Sequence, residues 1–123
     1  MKKPISGLRT AVYKVSDLSA AKAWYQDAFD TAPYFDEPFY VGFNIDGYEL
    51  GLQSSHHNGP KGDHLIIYWG VDNVPNAYDR LLSLGATPHE APANVGGEIV
   101  VASVRDPWDN VIGVIYNPGF QLP

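Results

Sequence analysis

At 123 residues with 45% apolar side chains, the chain fits one compact folding unit whose core needs no covalent staple, and 18% charged residues place it outside the disordered and fibrous classes. Eight Lys plus Arg against fourteen Asp plus Glu leave a net charge of −6, the wrong sign for a nucleic-acid backbone. Cysteine is absent, which excludes disulfides, thiolate zinc sites and cysteine nucleophiles. No window reaches the apolar length of a membrane span, and Ser6, Gly7 and Arg9 interrupt anything like a signal peptide after Lys2-Lys3. The expectation is a cytoplasmic protein without nucleic-acid or membrane partners.

In chain order, a β-rich run from Leu8 to Val15 stops at Ser16-Asp17. A helix follows, with Leu18, Ala21, Tyr25, Ala28 and Phe29 at helical spacing and Asp17 or Ser19 as its N-cap. Two or three strands fill Tyr34 to Gln53; Asp46-Gly47 between "YVGFNI" and "YELGLQ" is a hairpin signal, since both residues tolerate positive φ. The polar loop "SSHHNGPKGD" leads to a second strand-like run, His64 to Val71, and then to a helix with Pro75 in its first turn and Gly85 just past its end. "GGEIVVASV" and "NVIGVIY" close the chain as strands joined through "DPWDN". "NVGG" at Asn94 to Gly97 reads as a turn, because no helix follows it to bind an anion. Laying Val15-Ser16-Asp17 on Val71-Asp72-Asn73 gives an offset of 56 residues that also matches Ala21 to Ala77, so the second half repeats the first.

This tandem arrangement, with "VSDL" leading into "WY" in the first helix and a "DP-x-x-N" turn before the last strand, resembles the vicinal oxygen chelate superfamily, which includes glyoxalase I, extradiol dioxygenases and the fosfomycin- and bleomycin-resistance proteins. The resemblance implies an α+β fold of two βαβββ modules, about 5–55 and about 62–120, with curved sheets around a cleft, in a single domain that forms a homodimer. It implies four ligand positions for a divalent ion in the metal-dependent members. Here these fall on Thr10, Ile66, Gly113 and, depending on register, Glu49 or Gly51. Glycine and isoleucine offer no donor. The resemblance therefore points to a metal-free member without a cofactor, whose cleft binds a small organic ligand, with Gly113 leaving room for it.

Strand alternation sorts the residues of that cleft. Thr10, Val12 and Lys14 share a face, as do Glu49, Gly51 and Gln53, and as do His64, Ile66, Tyr68 and Gly70. Glu49 is the chief chemical candidate: a partly desolvated carboxylate is expected to have a raised pKa and to serve as a general base or bind a cation. His64 is its expected partner, and together they define the alternative reading, a lyase, isomerase or dioxygenase-type enzyme. Thr10, Tyr40, Gln53, Tyr68 and Trp108 are the candidate ligand-binding residues, the aromatic ones because rigid rings stack well on planar ligands. His56, His57 and His64 suggest a metal only superficially, because a polar loop fixes no ligand orientation; His89 stands alone and carries no signal.

Overall fold

The computed structural model describes residues 4–55, 61–62 and 64–120. It divides into two compact units, Met1–His57 and Asn58–Pro123, each a four-stranded sheet with one helix. In the first, β1 (Thr10–Val15), α1 (Leu18–Phe29), β2 (Phe35–Glu37), β3 (Tyr40–Ile45) and β4 (Tyr48–Ser54) form a sheet of order β1-β4-β3-β2. In the second, β5 (Tyr68–Gly70), α2 (Val74–Ser83), β6 (Thr87–Gly96), β7 (Ile99–Arg105) and β8 (Val111–Tyr116) give β5-β8-β7-β6. In each unit the first strand pairs parallel with the last and the remaining pairs are antiparallel, which is the βαβββ module in duplicate. Among the described residues no helix is long and apolar enough to cross a membrane.

Both helices start where the sequence offers a side-chain acceptor to their unpaired amides. Asp17 accepts from Ala20 N over 3.0 Å, and Asn73 accepts from Asn76 N over 3.0 Å ahead of Pro75. Asp30, at φ 47°, ends α1, and Gly85, at φ 106°, follows α2, where the left-handed conformation favours glycine. The cores lie on the helix-bearing faces. In the first unit Tyr13, Val15, Val41, Phe43, Leu50 and Leu52 are buried beneath α1, where Tyr25 stacks between Tyr13 at 5.8 Å and Phe29 at 5.9 Å. In the second, Ala102, Val104, Ile112 and Val114 are buried with Val74, Tyr78 and Leu81 of α2. Burying each of the larger side chains contributes about 1.5–3 kcal/mol, so the helix faces supply most of the stability.

Two segments depart from the sequence reading. The run from His64 is a strand only over Tyr68–Gly70. Tyr68 stands opposite Gly113, so Ile66 would stand opposite Val111, where β8 begins, and no partner strand remains for residues further back. The second is β6, ten residues long over a stretch to which the sequence reading gave no element before the "NVGG" turn, and carrying Pro88 and Pro92, residues that disfavour a central strand. It is an edge strand with three register irregularities against β7, a setting that tolerates residues without an N–H. The expected "NVGG" turn is correspondingly shifted: β6 runs to Gly96, and the Asn94 side chain brackets the bend, accepting from Gly96 N and donating to Gly97 O.

The "DPWDN" turn is organised by Asp106, only 3% exposed, whose carboxylate accepts from Trp108 N at 2.9 Å, Asn110 N at 2.7 Å and Asn110 Nδ2 at 3.0 Å. Asp106→Ala strands these donors and is expected to destabilise the protein by about 2–3 kcal/mol in urea unfolding, whereas Asp109→Ala, at a more exposed position, is expected to cost much less.

Candidate functional site

The first unit's open face is ordered by one hairpin. Asp46 and Gly47 take positive φ of 49° and 96°, the left-handed pair of a tight two-residue turn, and Gly47 N donates to Asn44 Oδ1 over 2.7 Å. The turn sets Ile45 opposite Tyr48, and the register then follows: Asn44 opposite Glu49, Gly42 opposite Gly51, Tyr40 opposite Gln53. A slip of one residue would send Glu49 to the helix side and Leu50 to the open side. Parallel pairing with β1 adds Thr10 beside Glu49, Val12 beside Gly51 and Lys14 beside Gln53. The alternation expected from the sequence is thus the alternation found, with Ala11, Tyr13 and Val15 buried and Thr10, Val12 and Lys14 exposed.

Glu49 is the centre of this face. Thr10 Oγ1 donates to Oε1 at 2.9 Å, the Tyr40 hydroxyl donates to Oε1 at 3.0 Å, and the Tyr34 hydroxyl donates to Oε2. Reaching Glu49 requires each tyrosine ring to lie along the sheet, across the position of a neighbouring side chain. Tyr40, in the Gln53 row, crosses Gly51; a Cβ built there would stand 2.6 Å from the ring carbon Cζ. Tyr34 lies against Gly42, where a Cβ would stand 3.0 Å from its ring and 2.7 Å from Glu49 Oε2. Neither glycine has a positive φ. Their role is close approach, giving a smooth strip on which two rings and a carboxylate fit.

The hydroxyl donors decide the protonation state. The Tyr34 hydrogen bond is the largest influence on Glu49; desolvation pushes the opposite way, the Thr10 and Tyr40 bonds reinforce Tyr34, and the carboxyl is held below its ordinary value of 4.5. This corrects the expectation of a raised pKa: desolvation is present but hydrogen bonding to the charged form outweighs it. Both tyrosines shift upwards, Tyr34 chiefly through its bond to Glu49, and Tyr40 to about 12, chiefly through burial and then through the same carboxylate. The cluster is one carboxylate with two neutral phenols.

Phe35 extends the site. Its ring centroid lies 6.4 Å from Tyr34, 6.2 Å from Tyr40 and 6.2 Å from Phe39, and Tyr34, Phe35 and Phe39 are all exposed. A groove of about 320 Å³ lies elsewhere on this unit, beside α1, and is bridged by the Lys22–Asp36 ion pair at 3.0 Å. Its lysine is already paired with Asp36, whereas the Glu49 face gathers a carboxylate, two phenols and a threonine hydroxyl, so the Glu49 face is the better candidate site.

The sequence candidates thus separate. Thr10, Tyr40 and Glu49 are in direct contact, and Gln53 stands on the same face opposite Tyr40, exposed. Tyr68, His64 and Trp108 belong to the second unit. Tyr68 fills the space beside Gly113, where a Cβ would stand 2.6 Å from its ring and 2.8 Å from Ile66 Cγ2; the room expected beside that glycine is taken by the unit's own side chains. Trp108 is half-buried in the Asp106 turn, and His64 is exposed ahead of β5. His89, which carried no signal, has Nδ1 2.7 Å from Oγ of the buried Ser103. His56 and His57 lie outside the described residues, and among the described residues no group of three or more His, Asp or Glu is placed to hold a metal ion. Tyr34 and Gly42 were not among the candidates from the sequence, and Gly51 was named only as a ligand position and a cleft-facing residue, yet a signal for their pairing was there: the glycines stand four residues before Asp46 and four after Gly47, so a two-residue turn must pair them.

Comparison with known proteins places this geometry in a wider set. The family described as Glyoxalase/Bleomycin resistance protein/Dioxygenase superfamily matches residues 7–114. Among solved structures, a glyoxalase-related enzyme from Fulvimarina pelagi is similar, with a TM-score of 0.80 at 16% identity, covering 97% of this chain and 94% of that one. The genomically encoded fosfomycin resistance protein FosX from Listeria monocytogenes gives 0.77 at 19% identity, with 94% and 96% covered. Lactoylglutathione lyase from Agrobacterium tumefaciens gives 0.74 at 22% identity, with 96% and 100% covered. At these identities the likeness is one of fold. No curated protein matches the chain significantly in sequence.

Two outcomes test the cluster. Gly51→Ala places a methyl group against the Tyr40 ring and is expected to cost about 1–3 kcal/mol in urea unfolding and to raise the Glu49 pKa followed by carboxyl NMR. For the pH dependence, a carboxyl lowered in the folded state stabilises fully above its ordinary value of 4.5 and loses that contribution as pH falls through the lowered value. The stability difference between the wild type and Glu49→Gln should therefore be flat near neutrality and shrink below 4.5; a difference that stays constant into strong acid would show that the hydroxyls do not hold the carboxylate.

Proposed function

Because the chain belongs to the Glyoxalase/Bleomycin resistance protein/Dioxygenase superfamily, we propose that it is a small-molecule-binding member that holds an organic ligand on the open face of its first sheet, at Glu49, without a divalent ion. The observation that carries this reading is the occupation of the glycine positions by tyrosine rings. Of the four positions the resemblance assigns to metal ligands, Thr10 has its hydroxyl committed to Glu49, and Ile66 is hydrocarbon. Repeat symmetry chooses Gly51 over Glu49 for the position left open: Gly51 stands opposite Val12 as Gly113 stands opposite Tyr68, and Val12 and Tyr68 are separated by the 56 residues of the repeat. Side chains longer than hydrogen at Gly51 and Gly113 would collide with Tyr40 and Tyr68.

A divalent ion in such a site needs about three converging donors, and this set does not fit one. Thr10, Tyr40 and Gln53 accompany Glu49 on the proposed binding face, while Tyr68 and Trp108 offer ring surface on the second unit. The enzyme alternative gains little from Glu49: a carboxylate held below its ordinary value by three hydroxyls is a weak base, and its partner His64 precedes the strand that would have fixed it. The homodimer and the cytoplasmic location expected from the sequence belong to the same proposal.

The deciding experiment is metal analysis after incubation with zinc, nickel, manganese and ferrous iron, paired with a small-molecule screen read by amide NMR. The expectation is substoichiometric metal, identical in the wild type and Glu49→Ala, and compound-induced shifts at Thr10, Gly42 and Gly51. One equivalent of tightly bound metal that is lost in Glu49→Ala would overturn the metal-free reading. A screen without shifts on this face would overturn the binding reading.

A further inference from the structure

The Glu49 cluster also bears on the class of ligand. A carboxylate offers about four acceptor positions, two on each oxygen. Oε1 receives Thr10 and Tyr40, and Oε2 receives Tyr34 alone, leaving one acceptor position on Oε2. All three donors are neutral hydroxyls. Among the described residues no Lys, Arg or His forms an ion pair with Glu49, so its charge is fixed in place without being neutralised. Next to that charge is an exposed group of rings with Phe35 at its centre, in contact with Tyr34, Tyr40 and Phe39. Aromatic faces attract cations and accept apolar groups.

Resting on the binding reading above, we infer that the ligand of this face is a small ammonium ion with an apolar or aromatic body, whose N–H donates to Glu49 Oε2 while the body lies on the rings of Tyr34 and Phe35. An anion is opposed by Glu49 and by the chain's net charge of −6. A neutral molecule of the same shape keeps the ring contacts and forgoes the charge-assisted hydrogen bond. Gly42 and Gly51 contribute indirectly, since a methyl group at either would displace the tyrosines that orient the carboxylate. The selectivity is therefore built into the sheet itself.

The test compares three one-ring probes by amide NMR titration: phenethylammonium, its neutral counterpart 2-phenylethanol, and the anion 3-phenylpropionate. Phenethylammonium should shift Glu49, Gly51 and Phe35 and bind about ten-fold or more tightly than the alcohol, with the anion weakest. Added salt should weaken the cation and leave the alcohol unchanged. In Glu49→Gln the advantage of the cation should vanish, whereas Phe35→Leu should weaken cation and alcohol alike; if Glu49→Gln does not fold, the salt dependence in the wild type carries the decision. Equal or tighter binding of the alcohol or the anion at these residues would overturn the cation assignment while leaving small-molecule binding intact. A cation that shifts residues elsewhere, or none, would overturn the assignment too, with the wider compound screen deciding separately whether the face binds ligands at all.

Discussion

The register of the β3–β4 hairpin is the constraint from which the rest of the candidate site follows. A two-residue turn at Asp46-Gly47 leaves one pairing in which Leu50 and Leu52 enter the core, and that pairing sets Glu49 on the opposite face beside Thr10. The same pairing aligns Gly42 with Gly51, so two strands lose their side chains at one level of the sheet and two tyrosines can lie flat across the gap. Core formation and site formation are thus one event on the two faces of a single sheet. The carboxylate depends on both glycines, both tyrosines and a threonine, and none of these is needed by the apolar core under α1.

The second unit shows what the same frame does with different side chains. Gly113 occupies on β8 the position of Gly51 on β4, and a tyrosine again covers it, but this one comes from the adjacent parallel strand and is joined by Ile66. The neighbour of Gly113 on β7 is Ser103, buried and in contact with His89 of the edge strand. Polar groups here are turned towards each other under cover, where the first unit exposes its carboxylate and rings. The two units share a topology while the residues on their open faces differ; this is why likeness of fold, however high the TM-score, fixes no chemistry.

Most of the architecture was legible in the sequence because its determinants are local. Capping residues, the Asp-Gly turn, the period-two alternation of β1 and β4 and the 56-residue offset each act within a few residues or repeat outright. What escaped has non-local causes. β6 carries prolines that argue against a strand, and it is tolerated only because it sits at a sheet edge, a fact of topology. β8 begins opposite Ile66, so His64 and Leu65 have no partner strand whatever their pattern. Thr10, Glu49 and Tyr40 were identifiable as neighbours on one face, but the sign of the Glu49 pKa shift was not, since it turns on where two phenol hydroxyls end up. Alternation gives the face on which a side chain emerges and is silent on how far it then leans along the sheet.

On the proposed binding reading, that lean is what connects stability to function. A glycine within a strand costs conformational entropy and forgoes packing, roughly 0.5–1 kcal/mol relative to alanine, and here two stand side by side. Alanines would pack as well on an open face if nothing needed to lie there. Bonding a carboxylate to three hydroxyls would likewise add little to a fold whose apolar faces are already covered, because the net value of a hydrogen bond to a partly exposed charge is modest. The combination makes physical sense when the face must hold a negative charge in a fixed place beside aromatic surface. The sheet gives up a small amount of stability at Gly42 and Gly51, and on the binding reading proposed above Glu49 is in return oriented before a ligand arrives, so that the ligand need not bear the cost of ordering it.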